Sequence, residues 1–185
     1  MAFDPVLHHR QSFRWKGFDY SSRGLYFITA CTSGRELLFG EVANGRCQLS
    51  PAGQAVRAAW YGLQERFAEV QFDAFVVMPN HMHAILVNVG TGLPAGGRFI
   101  QGAASSAPTV GRIMRAFKSV SAIEVNRLLG RNGQPVWQRN YYERVVRNHS
   151  EAEAIRRYIG ENPARWELDP ENPNAKSVET RMPWE

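Results

Sequence analysis

His81 and His83 stand two residues apart in the run Val76-Val77-Met78-Pro79-Asn80-His81-Met82-His83-Ala84-Ile85-Leu86-Val87, which is apolar and rich in β-branched residues. In an extended strand, residues i and i+2 share one face. The two imidazoles therefore stand side by side, while Met82 and Ala84 point the other way, into a core. Neutral imidazole is a ligand for divalent cations, and two on one face make half of a metal site. Taken alone, the pair can equally do no more than satisfy local hydrogen bonds on a sheet face. A centre of the His-x-His-x-His type would need a third histidine where Ile85 stands.

A second constellation lies in Arg156-Arg157-Tyr158-Ile159-Gly160-Glu161-Asn162-Pro163. On a helix, Tyr158 and Asn162 lie one above the other. A phenol is a competent nucleophile toward a phosphodiester when a cation polarises the phosphate and arginines offset the developing charge. Asn162 could add an oxygen ligand to the same cation. The plainer alternative keeps Tyr158 as a packed aromatic beside Ile155 and Ile159, and Asn162 as a helix terminator before proline. Tyr141 and Tyr142, close to Arg139 and Arg144, are rival phenols. They lack a polar partner four residues on along a helix and read as strand, core or DNA-contact residues.

The elements that must position these groups follow from pattern. Residues 25–32 are aromatic and β-branched and read as a strand, followed by a hairpin-like piece over 37–42. Ser50 then Pro51 opens a helix to about residue 67, with Ala55, Ala58, Ala59 and Leu63 expected inside. Residues 70–78 and about 81–89 form two strands broken by Pro79-Asn80, an antiparallel pair. Residues 90–108, rich in Gly, Ala and Pro, read as a long loop. Thr109 caps a second helix to about 129, with Val110, Ile113, Met114, Phe117 and Val120 as the buried stripe and Arg112, Arg115 and Lys118 off it. A short strand over roughly 142–147 precedes a last helix, opened by a Ser150/Glu153 capping box and stopped by Pro163. Asn162, as the residue before proline, is expected to avoid α geometry. This order predicts an α+β fold, an antiparallel sheet with helices packed on one face.

Composition narrows the partners. The chain has 185 residues, 44% hydrophobic, with a net charge of +5 and two cysteines, Cys31 and Cys47. One domain over 1–165 with an acidic tail over 166–185 is expected, because the tail carries five acidic and two basic side chains. Residues 109–147 hold eight Lys or Arg against two Glu, an excess that suits a polyanion such as nucleic acid, or else a solvated helix face. Two lone cysteines, no membrane-length apolar stretch and no signal-peptide pattern lead to the expectation of a reduced, cytoplasmic protein without a membrane partner.

Five blocks together carry a family resemblance: Gly24-Leu25-Tyr26-Phe27-Ile28-Thr29, Leu38-Phe39-Gly40, Val77 through His83, Val136 through Arg144, and Tyr158 through Pro163. In this order they resemble the REP-associated tyrosine transposases, single-tyrosine HUH endonucleases similar to insertion-sequence transposases, over about residues 10–165. The resemblance implies a ferredoxin-like core with the histidines on a central strand and a divalent cation, Mg²⁺ or Mn²⁺. It implies that His81 and His83 are metal ligands, with Met82 the hydrophobic spacer between them. Tyr158 would be the nucleophile that cuts and rejoins single-stranded DNA through a 5′-phosphotyrosine. Insertion-sequence relatives carry glutamine four residues after the tyrosine as a third ligand; Asn162 stands there, one methylene shorter. The implied partner is single-stranded or hairpin DNA of repetitive extragenic palindromic (REP) elements. Arg14, Arg112, Arg115, Lys118, Arg139 and Arg144 are its candidate contacts, and the chain acts as a monomer or a homodimer that exchanges the tyrosine helix. The rival function is a non-catalytic DNA-hairpin-binding protein descended from a transposase.

Overall fold

The computed structural model describes residues 24–68, 70–88 and 109–175. Arg14, the expected loop at 90–108 and the end of the acidic segment lie outside the described residues. The elements run β1 (Gly24–Cys31), β2 (Gly40–Ala43), β3 (Arg46–Leu49), α1 (Pro51–Arg66), β4 (Val70–Val77), β5 (His81–Asn88), α2 (Val110–Leu129), β6 (Tyr142–Val146) and α3 (His149–Glu161). A 3-10 helix over Asn162–Leu168 follows α3 directly. The main sheet has the order β4-β5-β1-β6, with every neighbouring pair antiparallel. β2 and β3 form a separate hairpin. Among the described residues no helix is long and apolar enough to cross a membrane.

Strand alternation decides which helix goes where. Tyr26, Ile28 and Ala30 of β1 and Met82, Ala84 and Leu86 of β5 point to one face, which α1 and α2 cover. Trp60 is the anchor there, stacked on Phe75 at 5.3 Å and edge-on to Phe72 and Phe117. Burial of aromatics of this size dominates the energetics of a core. Helix α1 approaches the chain so closely that a Cβ on Gly53 would lie 2.0 Å from the Phe39 carbonyl oxygen.

The other face is apolar as well, through Phe27 and Ile85, and α3 covers it with Ile155 and Ile159. The α+β antiparallel sheet is as expected, with one correction: α1 and α2 share a face, but α3 packs on the opposite one. The physical reason is that central strands β1 and β5 carry apolar residues at both alternations, and both sides need cover.

Several local expectations shift for identifiable reasons. The buried stripe of α1 is Ala52, Gly53, Val56, Trp60 and Leu63 rather than the alanines at 55, 58 and 59, because Trp60 sets the helix rotation. In α2 the stripe continues from Phe117 to Ser121 and Val125, leaving Val120 exposed. Ser121 is drawn inward because its Oγ accepts the Trp137 indole N–H at 2.9 Å. Helix α3 is capped by Asn148, whose side chain accepts from the Glu151 N–H at 2.8 Å, not by Ser150. Glu151 in turn accepts from the Arg147 N–H and from Arg144, while Glu153 pairs with Arg156. Asn162 holds α geometry, φ −54 and ψ −42, despite preceding Pro163.

Candidate functional site

His81 and His83 lie on central strand β5, on the face that α3 covers, and both are buried. Their Nε2 atoms are 3.1 Å apart and converge on one point. What turns them inward is a set of partners at the far nitrogens. The Asn80 amide donates through Nδ2 to the carbonyls of Arg35 at 3.3 Å and Glu171 at 2.7 Å, so its Oδ1 must be the atom facing His81 Nδ1 at 2.9 Å. That oxygen only accepts, which places the His81 proton on Nδ1 and leaves the Nε2 lone pair aimed into the centre. His83 Nδ1 meets the Thr29 hydroxyl at 2.7 Å, a partner that can donate or accept. Burial lowers the pKa of His81 and, more strongly, that of His83, whose neighbour His81 lowers it further. Both imidazoles are thus held neutral near pH 7, the state that binds a cation.

Tyr158 on α3 brings its Oη to 3.4 Å from His83 Nε2, with the rings 5.1 Å apart and Phe27 edge-on behind the phenol at 6.2 Å. Arg156, two residues earlier, grips Asp73 through Nε and Nη2, the latter at 2.6 Å. Asp73 sits where the β4–β5 register shifts between Phe72 and Phe75. A bulge of this kind re-aims a side chain, and here the resulting ion pair ties α3 to the strand beside the histidines.

The structure adds a residue that the sequence reading missed. Asp169 is buried, and its Oδ2 lies 3.8 Å from His81 Nε2. One donor atom from each of His81, His83 and Asp169 lies within 4.8 Å of the others. Atoms that share a cation at bond lengths of ~2.0–2.2 Å lie at most about 4.4 Å apart, so this group could bind a metal after small adjustments. Asp169 falls in what reads as an acidic tail. It reaches the centre because the 3-10 helix over Asn162–Leu168 turns the chain back across it. The first residues of the acidic segment are thus folded onto the site, with Asp169 and Asn172 buried. No local motif marks Asp169.

Asn162 is buried beside this group and donates through Nδ2 to Asp169 Oδ2 at 2.7 Å. Its Oδ1 is buried without a hydrogen-bond partner. A buried amide oxygen with no donor costs free energy unless something positive meets it, and this amide adjoins the His81 imidazole and the Asp169 carboxylate. The two imidazole nitrogens and the carboxylate oxygen could hold a divalent cation, and an unpartnered amide oxygen is available beside them.

The candidate DNA contacts do not gather at one place. Arg112 and Arg115 are exposed on α2, across the sheet from the histidines. The Arg112 guanidinium lies 6.0 Å over the Phe67 ring. Lys118 is occupied, donating to the carbonyls of Gln138 and Arg139, and burial lowers its pKa. Arg139 is exposed beside Gln138, whose N–H bonds the Cys31 carbonyl opposite His81. Arg144 is on the histidine face of β6 but pairs with Glu151 at 2.8 Å. Tyr142 is edge-on to Phe27 at 6.1 Å, and Tyr141 packs toward the α1/α2 core.

No family model matches the sequence. An uncharacterized protein of Haemophilus influenzae is 38% identical over 175 residues, an alignment covering 90% of this chain and 95% of that protein. Among solved structures, a REP-associated tyrosine transposase bound to a REP hairpin superposes with a TM-score of 0.55 at 19% identity, covering 83% of this chain and 74% of its own. That similarity shows the same fold.

Proposed function

We propose that this chain, which belongs to the same protein family as the Haemophilus influenzae relative, is a metal-dependent, transposase-like endonuclease that cuts and rejoins single-stranded DNA beside hairpins of the REP type. The observation that carries this reading is the placement of Tyr158 Oη 3.4 Å from His83 Nε2, at the point where two neutral imidazoles and a buried carboxylate converge. The transposase fold and the five sequence blocks support the same assignment.

His81, His83 and Asp169, with Asn162 Oδ1 beside them, would hold a divalent cation, Mg²⁺ or Mn²⁺, which when bound would polarise the scissile phosphate and offset its developing charge. Tyr158 attacks phosphorus; the bond to the 3′-oxygen breaks, and the phenolic proton passes, directly or by way of solvent, to that oxygen, giving a 5′-phosphotyrosine and a 3′-hydroxyl. Phosphodiester and phosphotyrosine are of similar energy, so the 3′-hydroxyl of a strand can reverse the step without a nucleotide cofactor. Asn80 and Thr29 orient the imidazoles, and the Arg156–Asp73 pair fixes the rotation of α3 that brings Tyr158 to its own chain's histidines. Arg112 and Arg115 would hold phosphates of the duplex part from the opposite side of the sheet. The reaction belongs in the cytoplasm.

Incubation with labelled hairpin DNA carrying a single-stranded flank and Mn²⁺ tests the proposal. A covalent protein–DNA adduct is expected, with the label on a peptide containing Tyr158. Tyr158→Phe should abolish the adduct while the affinity for Mn²⁺ stays within about threefold, because Tyr158 is no ligand. A labelled peptide containing Tyr141 or Tyr142 would refute the mechanism.

A further inference from the structure

Trp166 lies between Asn162 and Asp169 in the 3-10 helix that delivers both side chains to the centre. Its ring is centred 6.0 Å from the His81 ring and tilted 32° to it. Unlike Trp60 and Trp137, which are buried in the main core, Trp166 is half-buried. Its carbonyl is held by two donors, the Asp169 N–H at 3.2 Å and the Asn172 side-chain amide at 2.9 Å. A large aromatic on a tied-down carbonyl thus stands beside a ligand candidate, with part of its surface open.

We infer that Trp166 is the stacking platform for the nucleobase adjoining the scissile phosphate, and so a determinant of which base stands there. The inference rests on the proposed function and goes one step further. A single strand that places a phosphate against Tyr158 Oη and the histidine pair must lay its flanking bases against the rim, and a half-buried indole is a ready surface for one. Every base has a π-face, and stacking on an aromatic side chain is a recurrent way for a protein to hold unpaired bases. Because partial burial and the contact with His81 already restrict the ring, stacking costs less further side-chain entropy than on a free surface indole. Purines, with the larger face, should be preferred at that position.

The experiment is an abasic scan. A fluorescein-labelled hairpin oligonucleotide that the parent protein cleaves is made with one abasic nucleotide walked along the single-stranded flank, and binding and cleavage are measured with Mn²⁺. Trp166→Ala should weaken binding to the intact strand by about 5- to 150-fold, the range of one base–aromatic stack. Trp166→Phe should retain most of the affinity. At one position next to the cut, the abasic strand should bind the parent about as weakly as the intact strand binds Trp166→Ala, and combining the two changes should add no further loss. A fully additive loss at every position, or Trp166→Ala binding like the parent, overturns the platform while leaving the proposed function standing. A drop in Mn²⁺ affinity of Trp166→Ala beyond about threefold also overturns it, since the ring would then be a support for His81. If the parent forms no adduct with any hairpin strand, the proposed function fails and this assignment falls with it.

Discussion

Asp169→Asn is the substitution that separates a metal centre from a hydrogen-bonded cluster. The change preserves shape: the new amide can still accept from the Glu171 N–H, which now reaches Asp169 Oδ1 at 2.7 Å. Its nitrogen replaces Oδ2, the atom that accepts from Asn162 Nδ2 at 2.7 Å, so the Asn162 amide must turn over and present Oδ1 to it. With that turn the hydrogen bond is kept and folding should be little affected, so the measured change should report the lost charge together with the turned Asn162 amide. A unit charge about 4 Å from another interacts by about 4 kcal/mol at an effective dielectric of 20, and a dication doubles this. An amide oxygen keeps part of that attraction, and removing a buried carboxylate also removes a desolvation penalty. About 3 kcal/mol is a reasonable net loss, roughly a hundredfold in Kd. Calorimetric titration of Mn²⁺ into chelator-treated protein measures it, with His83→Ala as the control that should abolish binding. If Asp169→Asn binds Mn²⁺ within threefold of the parent while His83→Ala does not bind, Asp169 is no ligand and its burial is structural.

Two further outcomes follow from the same geometry. Burial holds His81 and His83 below their ordinary value near 6.5, so below about pH 6.5 the unfolded chain binds more protons than the folded one. Stability of the metal-free protein should be complete above that pH and fall as the pH drops, by up to about 1.4 kcal/mol per unit for each histidine; a melting temperature unchanged between pH 7 and 5 would contradict this, and His83→Gln should flatten the slope. Arg112→Gln with Arg115→Gln should weaken DNA binding and lower the salt slope by ~1.4–1.8 units if each meets one phosphate, without changing the cleavage rate of bound strand; an unchanged slope would make α2 a solvated face.

The strand face shared by His81 and His83 was legible because the two-residue period is a local property of an extended chain, and Met82 had to face a core. The Tyr158–Asn162 stripe and the positions of α1, α2 and α3 were legible for the same reason. Each depends on neighbours within a turn or two. The side of the sheet that α3 would take was not, since β1 and β5 are apolar at both alternations and either face would accept a helix. Its cap was misplaced by two residues because Asn148 and Ser150 are both good caps, and the choice fell to Glu151, which Arg144 on β6 engages. Arg112, Arg115 and Lys118 read as one basic stripe, yet tertiary packing turned the stripe away from the histidines and gave Lys118 to the carbonyls of Gln138 and Arg139. Asp169 is the clearest case. An aspartate in an acidic stretch has no signature in one dimension, and only the chain reversal after Asn162, with Asn80 reaching the Glu171 carbonyl, brings its carboxylate to 3.8 Å from a histidine eighty-eight positions away. Local periodicity thus determined which side chains could act together within an element, whereas contacts between elements decided which of them meet.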